Sequence, residues 1–126
     1  MIAPTYVRSQ TVPEEAQVKE EVWTKESLIA YATVESRKGG VDPAEFVRVM
    51  TCEVYKNPDG SWDAKGQSRH PDSDGPNGRE DSWGPLQINL YWNPEVTRAQ
   101  AQDPYFAIPW SVNKWKQGLA HRWSCY

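Results

Sequence analysis

Residues 42–54 carry the strongest local instruction in this chain. Asp42 offers the side-chain oxygen of an N-cap, Pro43 suits the first helical position, and Glu45 stands where a capping box places an acid. Phe46, Val47, Met50 and Val54 then recur at helical spacing. The next stretch, 57–82, reads as a long polar loop or small hairpin region. It holds Asn57, Pro58, Asp59, Gly60, Pro71, Gly75, Pro76 and Gly78, residue types that favour turns.

Around that helix the pattern is coarser. Thr24 caps a second expected helix with Leu28, Tyr31 and Ala32 on one face, and Gly39-Gly40 ends it. Leu86, Ile88 and Leu90 alternate with polar residues, as in a short strand or tight turn. Asn93-Pro94 and Asp103-Pro104 each resemble a helix start. Ile108, Val112, Trp115 and Leu119 form one helical stripe, which Pro109 kinks or delays. The class is α+β, predominantly α. With 126 residues the chain suits one domain, expected over 23–126, behind an extended N-terminal arm over 1–22 that contains Pro4 and Pro13.

Composition excludes several functions. The net charge is −3 and no Lys/Arg block is present, which argues against nucleic acid. No apolar run approaches the ~20 residues of a membrane span. His70 and His121 lie far apart, without an HExxH motif, and Pro76 interrupts the calcium-loop-like start Asp72-Ser73-Asp74-Gly75. No metal or cofactor is expected. Met1-Ile2-Ala3-Pro4 lacks the features of a signal peptide, while a leader removed earlier leaves an extracytoplasmic home open. Cys52 and Cys125 are expected to pair, with two free buried thiols as the alternative. A bridge would close a loop of about 70 residues and contribute roughly 4 kcal/mol.

Two constellations carry chemistry. Glu53 follows Phe46 by seven residues and Met50 by three, on the apolar face of its own helix. Burial there raises a carboxylic acid's pKa and lets it donate a proton near neutral pH, unless the side chain simply leaves the helix end for water. The second is Ser82-Trp83-Gly84-Pro85-Leu86-Gln87-Ile88-Asn89. Gly84 permits a close backbone approach to a ligand. Gln87 and Asn89, on one face if extended, suit sugar hydroxyls and N-acetyl groups; a structural turn is the plainer reading. The seven Trp and six Tyr offer flat faces for sugar rings as well as core volume. Trp83, Tyr91 and Trp92 are the candidates nearest this segment, with Trp62 further off.

Together these segments resemble the lysozyme-like superfamily, soluble lytic transglycosylase domains most closely. Val41-Asp42-Pro43 through Cys52-Glu53 resembles the active-site helix. About thirty residues on, Asp81 to Asn89 resembles the Ser-x-Gly-Leu-x-Gln segment. Asp103-Pro104, Gly118 and Trp123 resemble the tail, so the likeness covers 23–126. It implies a lysozyme-like fold with a short β/loop region after the active-site helix. It also implies a secreted, periplasmic or virion-associated monomer acting on peptidoglycan glycan strands.

In that resemblance Glu53 is the general acid, and Ser82, Gln87 and Asn89 position the sugar. Val54 departs from the Ser that usually follows the acid, which leaves a non-catalytic wall-binding module as a rival. Ser82 stands where c-type lysozymes have Asp, so the likeness implies a single-acid transglycosylase. Asp63, Asp74, Glu80 and Asp81 remain available for a hydrolytic version, and a chitin or chitosan hydrolase is a further alternative.

Overall fold

The computed structural model describes residues 21–126; the arm expected over 1–22 falls almost wholly outside them. Helices dominate, joined by two small antiparallel sheets. Helix α1 spans Lys25–Lys38 behind a Thr24 cap, whose box is closed by Ser27. It buries Leu28, Ala32 and Ser36, while Tyr31 stays half-buried.

Helix α2 spans Pro43–Glu53. Its Asp42 cap accepts from the Ala44 N–H. Phe46, Val49 and Met50 are fully buried, at roughly 2 kcal/mol each for the apolar surface removed from water. Val49 replaces Val47 on the innermost stripe; Val47 is only half-buried. The carbonyls at the end of α2 are satisfied from outside. Lys56 Nζ donates to those of Thr51 and Val54.

The polar stretch after α2 is built from turns and short pairings. Strands β1 (Tyr55–Lys56) and β2 (Trp62–Asp63) form one hairpin. β3 (Ser82–Trp83) and β4 (Ile88–Asn89) form a second, with Ser82 opposite Asn89. Gln87 is therefore a turn residue, not part of an extended run, and sits at φ 50. Asn93-Pro94 starts no helix: Asn93 closes a turn through the Val96 N–H. The short helix α3 (Arg98–Ala101) starts instead at Thr97, whose box is closed by Gln100. Helix α4 (Pro104–Lys116) starts at Asp103 and runs through Pro109. Ile108 and Val112 are buried, Trp115 partly so, and Leu119 lies beyond the helix end.

α1 packs against both α2 and α4, so the core lies among these three helices with Leu86, Ile88 and Trp83 added from the second hairpin. The C-terminal end of α2 and the last ten residues both emerge at one side of that core.

Candidate active site

Glu53 is the last residue of α2, so its carboxyl lies at the negative end of the helix dipole. It does not leave for open water. A disulfide joins Cys52 to Cys125 across a separation of 73 residues and holds the chain terminus against it. Glu53 Oε2 accepts from the Cys125 N–H at 3.0 Å and from Ser124 Oγ at 3.3 Å.

Burial pushes the Glu53 pKa above its ordinary value. The Cys125 N–H and the Ser124 hydroxyl pull it back, the Glu80 charge adds to the rise, and His70 opposes it. Oε1 has no hydrogen-bond partner among the described residues. Because both donors occupy Oε2, a proton on this carboxyl belongs on Oε1.

Glu53 opens into a cleft of about 960 Å³. The loop stretch after α2 contributes Tyr55, Lys56, Ser68, Arg69, His70 and Glu80 to its lining. Ser82, Gln87, Ile88 and Asn89 come from the second hairpin, and Trp110, Lys114, Arg122 and Trp123 make up a C-terminal wall from α4 and the residues after it. Burial lowers the Lys56 ammonium pKa, while the neighbouring Glu53 carboxylate acts to raise it. No protein family, curated protein or solved structure matches the chain. The chemistry of the cleft is therefore argued from its own residues.

Four of the six substrate-binding residues expected from the sequence line this cleft: Ser82, Gln87, Asn89 and Trp92. Ser82 is buried and its hydroxyl donates to Glu80 Oε1 at 3.1 Å. Asn89 Oδ1 accepts from the backbone N–H groups of Tyr91 and Trp92, which leaves its amide N–H₂ without a partner among the described residues. Gln87 Nε2 donates to the Gly66 and Gly84 carbonyls. Its amide hydrogens brace the hairpin, so its side-chain carbonyl is what it has left to offer a ligand. Trp92 is 74% exposed at the cleft edge.

Trp83 is a correction. It is only 7% exposed, lies under the Arg98 guanidinium and donates from Nε1 to Asp81. Neighbours on a strand face opposite ways, and Ser82 takes the cleft side. Tyr91 is a second correction: it is exposed but off the cleft, edge-on to Trp92. Trp62 is buried away from the cleft under Lys25 and Lys56. Gly84, at φ +85, serves the protein's own packing rather than a ligand, since a Cβ there would clash with the Ala101 carbonyl.

Sequence reasoning left Glu80 as one of four acids, and although it expected the Cys52–Cys125 bridge it did not foresee the Ser124 and Cys125 hydrogen bonds to Glu53. What fixes Glu80 is Gln67, whose amide Nε2 donates to the Pro76 and Glu80 carbonyls and whose Oε1 accepts from Asn77 and Arg79. A Gln among polar loop residues carries no periodic signal. Trp110 and Lys114 were findable, because they lie four apart on α4 and share a helix face.

Proposed function

We propose that this protein has a lysozyme-like fold and is a peptidoglycan-cleaving muramidase. In this reading it is a lytic transglycosylase that cuts the β-1,4 bond between N-acetylmuramic acid and N-acetylglucosamine. The observation that carries the reading is Glu53: a carboxyl with a raised pKa in an open cleft, with Oε2 tied down and Oε1 unoccupied. Such a group stays protonated at higher pH than an ordinary Glu and presents its proton from a fixed atom.

In this reading the reaction runs in two steps. Oε1–H protonates the glycosidic oxygen as the C1–O bond breaks, and the muramic N-acetyl oxygen stabilises the positive charge developing at C1. The Glu53 carboxylate then takes the proton of the C6 hydroxyl as O6 closes on C1. The product is a 1,6-anhydro end and no water is consumed. Asn89 and the carbonyl of Gln87 supply polar contacts for the sugar, and Trp92 and Trp110 supply faces for its rings. The site of action is extracytoplasmic, in keeping with a disulfide-bonded chain.

One observation favours a second reading, hydrolysis. Glu80 lines the same cleft and its charge is felt at Glu53. A carboxylate there activates water if the two carboxyls stand about 6.5–9.5 Å apart. Mass spectrometry of digested peptidoglycan separates the two. Anhydro ends made by wild type and by Glu80→Gln alike support transglycosylation; reducing ends lost in Glu80→Gln support hydrolysis. In either case Glu53→Gln is expected to lose about 10³-fold in rate. Unchanged turnover in that variant removes the acid from the scheme.

A further inference from the structure

The whole chain is acidic, with 17 Asp and Glu against 14 Lys and Arg. The cleft reverses that balance: Lys56, Arg69, Lys114 and Arg122 line it against Glu53 and Glu80. None of these cations forms a salt bridge to a carboxylate within the described residues, where the two ion pairs, Lys38–Glu35 and Arg48–Glu45, both lie elsewhere.

Two of the four are already engaged. Lys56 caps the carbonyls at the end of α2, and Arg69 donates to the Lys56 carbonyl while stacking 4.0 Å from the Tyr55 ring centroid. The side chains of Lys114 and Arg122 have no hydrogen-bond acceptor among the described residues. Lys114 Nζ instead lies 5.1 Å from the centroid of the Trp110 ring, which lines the same wall. The cleft lining therefore carries the Trp110 ring with Lys114 over it, and Arg122, two positive charges without a carboxylate or hydrogen-bond acceptor among the described residues. A neutral sugar needs only the face; the charges call for an anionic substituent close to the ring.

We infer that Lys114 and Arg122 form a subsite for carboxylates borne on the glycan, namely the stem-peptide carboxylates of peptidoglycan. The subsite makes the cleft select acidic, substituted strands over neutral ones. This rests on reading the cleft as a peptidoglycan site. Lys114 supplies a point charge, while the Arg122 guanidinium can take a carboxylate with two parallel hydrogen bonds. Both contacts are solvent-accessible, so each is expected to change binding by about two- to fivefold.

The test uses the full chain carrying Glu53→Gln, so that binding is read without turnover. Sacculi are treated with hydrofluoric acid to strip phosphate-bearing wall polymers. Half are then amidated with carbodiimide and ammonia to neutralise their carboxylates. Co-sedimentation is expected to show about tenfold weaker binding to the amidated sacculi. K114Q/R122Q should lose that difference and K114R/R122K should keep it. Equal binding to amidated and unamidated sacculi overturns the subsite, as does a preference that K114Q/R122Q leaves intact. Binding that vanishes on hydrofluoric acid treatment alone also overturns it, by assigning the charges to phosphate.

The enzymatic reading fails separately. If wild type cuts amidated and unamidated sacculi equally well, the subsite is removed and the muramidase stands. If wild type cuts neither, a carboxylate preference lost in K114Q/R122Q still supports the subsite.

Discussion

The two walls of the cleft are held by different physics. The loop wall, 66–82, depends on directional polar bonds gathered by one side chain. Gln67, 5% exposed, ties Pro76, Asn77, Arg79 and Glu80 together. The C-terminal wall depends on aromatic packing and a covalent link. Trp115 meets Phe46, Trp123 and Tyr126, Trp123 meets Trp110, and Cys125 is joined to Cys52. Packing and a crosslink tolerate small displacements, whereas a polar hub loses most of its value when one member is removed. Glu53 sits between the two. It takes both of its hydrogen bonds from the C-terminal wall and a through-space charge from the loop wall.

The sharpest way to break this contrast is to cut the crosslink. Cys52→Ser/Cys125→Ser is expected to lose about 4 kcal/mol in urea unfolding, from the loop the bridge closes. Amide hydrogen exchange should rise in 117–126 and stay unchanged in 66–82. A uniform rise across both walls would show that they are one cooperative unit. Gln67→Ala is the mirror experiment. Leaving several buried polar groups unpaired should cost roughly 2–3 kcal/mol, with exchange rising in 66–82 alone.

Two smaller effects concern the acid between the walls. The raised pKa of Glu53 means its neutral form contributes stability below the ordinary carboxylate pKa, and that contribution is lost as pH rises through the raised value. Glu53→Gln should therefore stabilise the protein at pH 7, by up to about 1 kcal/mol, and the gain should shrink toward acid pH in thermal melts. An unchanged or lower melting temperature at pH 7 would mean that the carboxylate is well solvated. Ser124→Ala removes a donor that lowers the Glu53 pKa. The alkaline limb of the pH–rate profile should move to higher pH, while Gln67→Ala, which displaces Glu80 and its charge, should move it to lower pH.

Much of the helical framework was legible because its signals are local. Thr24, Asp42 and Asp103 cap the helices expected of them. Asn93-Pro94 misled because proline fits a turn as well as a first helical turn, and Thr97 with Gln100 supplied the real cap. The second hairpin was visible only as an alternation, and its turn at Gly84–Gln87 commits the Gln87 amide hydrogens to the backbone and leaves its side-chain carbonyl in the cleft.

By itself, the sequence determined that Glu53 would close an amphipathic helix on the same face as its core residues, since Phe46 and Met50 stand seven and three positions before it and helical geometry does the rest. Tertiary packing alone decided which tryptophans met the cleft, that Glu80 rather than Asp63 or Asp74 lines it, and that the chain's last residues would grip the acid from more than seventy positions away. Aromatic side chains and loop carboxylates carry no period, and contacts at that separation are set by how helices stack and what a disulfide draws in, not by neighbours along the chain.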